Sequence, residues 1–395
     1  MTDRQPAFEE LAKKYYQNTG IKVEFQLFFP PEAYVQKIKA SAQGKNLPDI
    51  FGILGEKRDL AAFIKAGLVL DLTEYMREEF WKWRNSFFSK AIEINTFEKD
   101  NAYNVKEGIY GVPIDVMTIQ LVYNKALFRE LGLNPEKPPQ TFEEFLKIGE
   151  MAKSKNLIGL VSGWAEVWLI DCFFTTYAIN IMGEDKIIKT IEGVVPYTDP
   201  DWIEVFDIFR KMRDASILQK EIVSMINKTA EQVFANNKAV FGFNGSWCVN
   251  VYKGMNPNLE YAPFLPPKIS DNYPIVIRGG AGSSFMVNAL SKNREEAVKF
   301  LRWLTDIEQQ VFLAKTTNNL PANKYSITDL PKTLVDFTKG LENATHPNVW
   351  KIRESPQVIE AIGRGIQLII LGKRTPQEVA EDVQGIKEKF ILKDK

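Results

Sequence analysis

Histidine and cysteine are almost absent from this chain of 395 residues. The one histidine, His346, precedes a proline in a predicted loop, so histidine-based catalytic triads and clustered metal sites find little support. Cys172 and Cys248 lie in apolar helical segments, and we interpret both as buried thiols and not as a disulfide framework. No G-x-S-x-G, H-E-x-x-H or C-x-x-C motif occurs. We therefore predict no catalytic residue, no bound metal and no cofactor.

Net charge and long apolar runs are lacking as well. Lys plus Arg and Asp plus Glu number 50 each, so no overall field attracts nucleic acid or an anionic membrane, and we expect no nucleic-acid partner. No apolar run reaches the length of a membrane-spanning helix. A chain of this length predicts about two domains. Aromatic residues, at 12%, are plentiful, and their flat faces suit sugar rings.

One segment carries a helix, a strand, a turn and a second helix in immediate succession. Thr229 and Gln232 are spaced as a capping box that opens the first helix. The apolar run 239–243 predicts a strand that is covered on both faces. Ser246 can cap the second helix, which places Trp247 at a helix N-terminus, where free N–H groups bind polar ligands. Trp247 is either a core residue or a platform for a ligand ring.

Other segments give the chain an α/β character. Residues 21–27 alternate apolar and polar side chains and predict a strand, as does the apolar run 158–161. Thr141 and Glu144 form a second capping box, and Asp199 before a proline is typical of a helix start.

Short motifs in a fixed order resemble those of family 1 of the extracellular solute-binding proteins of ABC transporters, the sugar-binding group that includes maltose-binding protein. The motifs are TGIKVE (19–24), PDIF (48–51), GLVLDL (67–72), YGVPID (110–115), YNK (123–125), NGSW (244–247), the glycine loop around Gly280, LPA (320–322) and GKRTPQEVA (372–380). Each motif is short, but their order along nearly the whole chain is hard to obtain by chance.

The resemblance implies an α/β, two-lobed periplasmic-binding-protein-like fold, in which each lobe is a sheet flanked by helices. We expect an N-terminal lobe from residues 1–113 and 265–307, and a C-terminal lobe from 114–264 and 308–395. Hinge crossings are expected near Pro113, Pro263 and Thr305, with a sugar bound in the cleft between the lobes as they close.

The resemblance also implies a set of ligand-binding residues. Trp247 would stack on the sugar; of Trp164 and Trp168, four positions apart, we expect Trp164 to reach the ligand and Trp168 to pack the following helix. Carboxylates suit pairs of hydroxyls. The full set of candidates is Trp247, Trp164, Asp115, Glu166, Glu56, Arg278, Gly280 and Arg4. A turn cap for Asp115, a solvated charge run for Glu56 and a surface ion pair for Arg278 remain the alternatives.

The implied partners are a carbohydrate and the transmembrane permease of an ABC transporter, with the chain acting as a monomer outside the cytoplasm, in the periplasm or anchored by lipid to the cell surface. Family members open with a signal peptide and a first strand. We expect either that this leader has been removed or that the first strand is missing. A carbohydrate-active enzyme that uses paired carboxylates is the alternative function, and binding of a non-sugar solute is another.

Overall fold

The structure is a computed structural model that describes residues 4–28, 31–53, 57–328, 330–347, 350 and 352–391. In chain order its helices are α1 (Gln5–Thr19), α2 (Pro31–Gln43), α3 (Lys57–Lys65), α4 (Thr73–Ser86), α5 (Ser89–Glu93), α6 (Lys125–Glu130), α7 (Phe142–Ser154), α8 (Val167–Ile191), α9 (Pro200–Asp214), α10 (Asn227–Ala235), α11 (Cys248–Met255), α12 (Arg294–Leu304), α13 (Ile307–Thr317), α14 (Lys332–Thr338), α15 (Pro356–Ile370) and α16 (Pro376–Ile391).

The strands are β1 (Ile50–Gly52), β2 (Thr96–Phe97), β3 (Gly108–Ile109), β4 (Val112–Asn124), β5 (Ile158–Val161), β6 (Ala239–Gly245), β7 (Tyr261–Phe264), β8 (Ile277–Val287), β9 (Leu320–Pro321) and β10 (Ala344–Thr345). Short 3-10 helices cover Lys220–Ser224, Lys324–Ser326 and Lys339–Asn343. The mixture of strands and flanking helices confirms the predicted α/β class.

Two compact units share the chain, and each is assembled from three stretches of sequence. The first unit consists of Met1–Met117, Gly279–Val335 and His346–Lys351; the second consists of Thr118–Arg278, Asp336–Thr345 and Ile352–Lys395. Both β4 and β8 therefore contribute residues to each unit.

In the first unit, β1 pairs antiparallel with β8, with Phe51 opposite Met286, and β9 pairs antiparallel with the start of β4. Phe51 and Met286 belong to a buried apolar cluster that also contains Leu60, Val69 and Phe97. At the edge of β1, the Tyr34 hydroxyl accepts a hydrogen bond from Gly52 N and donates one to Gly52 O, both at 2.8 Å. A side chain thus satisfies the backbone groups of this strand edge.

In the second unit, β4 lies between β6 and β7, and β5 extends the sheet on the far side of β6. Strands β4 and β6 run antiparallel, whereas β5 and β6 run parallel, with Leu160 opposite Phe241. All seven residues of β6 are buried, which confirms the prediction of a strand covered on both faces. The edge of the sheet at which β5 and β6 end carries the side chains discussed below.

Local signals locate several of these elements. Helix α7 begins with the predicted capping box, in which the Thr141 side chain and Glu144 exchange bonds with the backbone. Asp199 caps α9 as predicted, by accepting a bond from Asp201 N. The box predicted at Thr229 and Gln232 is wrong, because α10 begins two residues earlier, at Asn227, with no side-chain cap.

The strand predicted over residues 21–27 is not formed, and residues 21–28 are neither helix nor strand. The alternation is nevertheless used for packing, since the Phe25 ring lies 5.2 Å from Phe8 and 6.3 Å from Phe300. An alternating pattern becomes a strand only when a neighbour accepts its backbone bonds. Within the described part of the chain, no strand pairs with this segment.

The units differ from the expected ones in four stretches, 114–117, 265–278, 308–335 and 346–351, of which the second and third are the longest. Residues 265–278 lie in the second unit, where the Asn180 side chain binds the backbone of Ser270 and Tyr273. Residues 308–335 lie in the first unit, because α13 packs on α1 and α12. The chain passes between the units after residues 117, 278, 335, 345 and 351, so of the three expected hinges only Pro113 is near a crossing, whereas Pro263 and Thr305 lie inside single units.

Candidate functional site

Trp247 lies where β6 ends and α11 begins, as the sequence predicts. It occupies the N-cap position of α11, and its side chain is half-buried. Ser246 contributes no side-chain cap; its backbone N–H instead donates to Thr118 O. The indole lies directly against Gly245, where a Cβ atom would be 2.0 Å from the ring. Glycine is therefore required at position 245 if Trp247 is to keep this orientation.

The exposed indole near Trp247 is that of Trp168, and not that of Trp164, which the sequence favoured. Trp164 is 0% exposed, and its ring packs edge-on against Phe173 and Phe209 in the core. Trp168, in the first turn of α8, is 42% exposed, and its ring centroid lies 6.1 Å from that of Trp247 at an interplanar angle of 46°. Trp164 precedes the helix and points into the core, whereas α8 begins early enough to leave Trp168 at the surface.

Each of the two indoles has a carboxylate partner. Trp168 Nε1 donates to Glu166 Oε2 at 3.0 Å. The Trp247 side chain lies close enough to the Glu231 carboxylate, which is 7% exposed, to lower the pKa of that carboxyl by hydrogen bonding. Indole N–H groups are donors only, so an acid beside each ring fixes its orientation.

Asn227 joins the two acids. Its backbone N–H donates to Glu166 Oε1 at 2.8 Å, and its Nδ2 donates to Glu231 Oε1 at 3.0 Å. Asn244 Nδ2 is a further donor to Glu231 Oε1, also at 3.0 Å. We refer to Glu166, Trp168, Asn227, Glu231, Asn244 and Trp247 as the indole network.

Burial raises the pKa of the Glu231 carboxyl above its ordinary value. The hydrogen bonds from Asn244, Trp247 and Asn227 lower the pKa, and the charge of Glu166 raises it further. Two neighbouring acids that receive only neutral donors give this face a negative character.

Arg278 is also in the second unit, but it is buried in an ion pair. Its Nη2 donates to Asp171 Oδ2 at 2.6 Å, and Arg353 approaches the same oxygen at 3.7 Å. The side chains of Arg278 and Asp171 are 11% and 10% exposed. Arg278 Nε is buried without a hydrogen-bond partner, which leaves it one unused donor. The ion pair expected as the alternative is therefore present, although it is buried and not on the surface.

Three candidates for ligand contacts lie in the first unit, and two of them bind each other. The Arg4 guanidinium pairs with Asp115 Oδ2, and Ser283 Oγ donates to Asp115 Oδ1. Arg4 Nη2 also donates to Asn319 Oδ1 at 3.0 Å. Both carboxylate oxygens of the 6%-exposed Asp115 are thus occupied from inside the unit. Gly282 packs against them, since a Cβ there would lie 3.0 Å from Asp115 Oδ1.

Gly280 is the third candidate, and the backbone needs glycine there. Its φ is 136°, in the region that favours glycine, and a Cβ would lie 3.0 Å from Lys90 O. Glu56 lies outside the described residues.

Sequence reasoning missed Asn227, Glu231 and Asn244, and it rejected Trp168. Asn227 and Glu231 are four positions apart at the start of α10, a spacing that puts both on one helix face. That signal was hidden because the helix start was placed at Thr229. The link from Asn227 to Glu166 spans 61 positions and leaves no local trace.

The described residues contain no group of three or more His, Cys, Asp or Glu side chains placed to hold a metal ion. Among the helices that the structure describes, none combines the length and the apolar character needed to cross a membrane. Cys172 and Cys248 are buried and unpaired, as predicted; burial raises the pKa of Cys172 to about 11 and that of Cys248 well above its usual value.

Comparison with known proteins gives a consistent result. The family model described as bacterial extracellular solute-binding protein matches residues 1–311. A multiple sugar-binding protein of Streptococcus mutans serotype c is 25% identical over 303 residues, which cover 74% of this chain and 66% of that protein. A binding protein of Brucella abortus (strain 2308) is 28% identical over 403 aligned positions, which cover 98% of this chain and 90% of that protein.

Among solved structures, a chitin oligosaccharide binding protein superposes with a TM-score of 0.78 at 22% identity, covering 99% of this chain and 96% of that one. This likeness confirms the predicted fold class.

Proposed function

Because the chain belongs to the bacterial extracellular solute-binding proteins, we propose that it is the binding component of an ABC importer and that its solute is a sugar or an oligosaccharide. The names of a sugar-binding relative and of a chitin-oligosaccharide-binding structural neighbour support the sugar class. The observation that carries the proposal is the pair of indoles, Trp168 and Trp247, on one face of the second unit. Flat aromatic faces stack on sugar rings, and the hydroxyls of the sugar then remain free for polar contacts. In this unit an acid beside each indole helps to hold its face in place.

The charges of the indole network favour an uncharged solute. Its polar side chains are two acids and two amides, and none of its six members is a cation. An anionic solute such as a sugar phosphate would meet repulsion there. Amide and carboxylate oxygens, in contrast, accept hydrogen bonds from hydroxyl groups.

The ligand-contact set that we propose has Trp247, Trp168 and Glu166 at its centre. Arg278, whose side chain is buried in its ion pair with Asp171, is kept as a further proposed contact in the second unit. Asp115, Arg4 and Gly280 are proposed contacts in the first unit, and Glu56 is kept as a candidate outside the described residues. Trp164 is removed from the set because its ring is enclosed by core side chains.

The proposed partner is the transmembrane permease of the importer, to which the protein delivers its solute without changing it. We propose that the protein acts as a monomer outside the cytoplasm, in the periplasm or held at the cell surface by lipid.

A carbohydrate-active enzyme remains the second candidate function, because Glu166 and Glu231 lie in one network. Glycosidases need two carboxyl groups that flank the scissile bond. Here Glu166 already accepts an indole N–H, Glu231 lies beside the second indole, and both acids are bridged by Asn227. This arrangement suits acids that orient rings better than acids that exchange protons with a substrate.

Calorimetric titration against mono- and oligosaccharides, with glycerol phosphate as an anionic control, tests the proposal. The expected result is saturable binding of a neutral sugar that chromatography recovers intact. Cleavage products would establish the enzyme instead, and binding of the phosphate alone would overturn the sugar assignment.

A further inference from the structure

One residue bonds the two acids that lie beside the indoles of the site. Asn227 bonds Glu166 through its backbone and Glu231 through its side chain, and each of these acids holds one indole.

The two bonds of Asn227 differ in what they require of the sequence. Asn227 is the first residue of α10, so its backbone N–H is one of the four that a helix leaves free, and any residue except proline supplies it. The backbone itself is held in place, because Gly163 packs so closely that a Cβ there would lie 2.4 Å from Asn227 N. The bond to Glu231, in contrast, needs an amide N–H at the end of a short side chain.

Loss of that amide would change the surroundings of Glu231. The carboxylate is buried, and its remaining donors are Asn244 and Trp247. A buried acid that loses a donor either takes up a proton or moves toward another donor. Both responses alter the acceptor that orients the Trp247 indole, whereas Trp168 keeps its bond to Glu166.

We propose that Asn227 is a positioning residue that sets the orientation of Trp247 relative to Trp168 through the Glu231 carboxylate. This role of Asn227 rests on the proposed function in one respect, because the two indoles are taken as the surface that binds the ligand. The geometric claim itself concerns the free protein and needs no ligand.

Circular dichroism of the ligand-free protein tests this claim. Two indoles 6.1 Å apart couple their electronic transitions and give paired bands of opposite sign, whose size depends on the distance and the angle between the rings. The signal of the pair is identified as the part of the spectrum that is lost in both Trp168→Phe and Trp247→Phe. Bands from the helices serve as an internal measure of folding.

The informative variants are Asn227→Ala and Asn227→Asp. We expect each to remove at least about half of the paired bands. Asn227→Asp keeps the size of the residue but turns a carboxylate toward Glu231, so the helix bands of the same spectrum must show that this variant is folded before its loss of signal is interpreted. Asn236→Ala is the matched control: Asn236 caps the other end of α10, bonds only Gln232 O through Nδ2, and should leave the bands unchanged.

Paired bands of wild-type size in Asn227→Asp would overturn the proposal. They would show that a side chain of the same shape, without the N–H donor, is enough to keep Trp247 in its orientation relative to Trp168. Failure of every sugar to bind would overturn the proposed function and would leave this result unaffected.

Discussion

The two groups of candidate residues, one in each unit, satisfy their charges in different ways. In the first unit, the acid Asp115 is paired with the cation Arg4 and a hydroxyl, so its charge is neutralised locally. In the second unit, Glu166 and Glu231 receive only N–H groups, which come from indoles, from two amide side chains and from a backbone. In the first unit, the acid and its partners therefore satisfy one another's charges and hydrogen bonds. The second uses its acids to hold two aromatic faces and therefore leaves a surface for a ligand.

The largest effect is expected from Gly245→Ala in the second unit. The new methyl group would overlap the Trp247 ring, which must then rotate away, so sugar binding should weaken by at least about a hundredfold, an amount typical of interface hot spots. Calorimetry with the sugar found by titration measures the change.

Gly254→Ala is the matched control for this substitution. Gly254 lies in α11 with nothing within 4 Å of the position of an added Cβ, so the helix should gain up to about 1 kcal/mol and the affinity should stay unchanged. Equal affinities of the Gly245→Ala variant and the wild type would show that the orientation of Trp247 does not matter for binding.

In the first unit, a double-mutant cycle on Arg4 and Asp115 should show strong coupling. Both side chains are largely buried, and removal of one partner leaves the other charge without compensation; we expect a coupling energy of about 1 to 3 kcal/mol from urea unfolding.

The exposed pair of Lys22 and Glu24 in the same unit is the control, and its cycle should show no measurable coupling. If the buried and exposed pairs gave the same result, the picture of a closed charge pair in the first unit would have to be abandoned.

A smaller effect, in the second unit, is the pH dependence contributed by Glu231. A carboxyl with a raised pKa binds its proton more tightly in the folded state, so its contribution to stability falls as pH rises from the ordinary value of 4.5 to the folded pKa, and stays constant above it. Each unit of pKa displacement corresponds to about 1.4 kcal/mol.

Glu231→Gln removes this titration. The free energy of unfolding of the wild type minus that of the variant, measured by urea unfolding at each pH, should therefore decrease as the pH rises above the ordinary carboxyl pKa of 4.5 and level off above the folded pKa. A difference that rises with pH would mean that the hydrogen bonds to the carboxylate outweigh its burial.

Local patterns allowed a good part of the fold to be predicted. The cap of α7, the buried strand β6 and the place of Trp247 at a helix start each follow from a few adjacent residues. The ordered motifs were sufficient for the family. Residues 21–27 show the limit of such patterns. Their apolar and polar side chains alternate as in a strand, but a strand also needs a neighbour to pair with, and the alternation does not reveal whether one is present.

The choice between Trp164 and Trp168 could not be made from spacing. Which of the two reaches the surface depends on where α8 starts and on how Phe173 and Phe209 fill the core. The indole network likewise depends on a contact between Glu166 and Asn227. Glu166 lies in the loop after β5, Asn227 begins α10, which precedes β6, and the parallel pairing of β5 and β6 brings the two together.

The most direct test of the account is the affinity of Trp168→Ala for the sugar identified by titration, with Tyr273→Ala as the control for loss of an exposed aromatic ring in the same unit. We predict at least about a tenfold loss for Trp168→Ala and wild-type affinity for Tyr273→Ala. Wild-type affinity in Trp168→Ala would contradict the claim that the two indoles together form the sugar-binding surface.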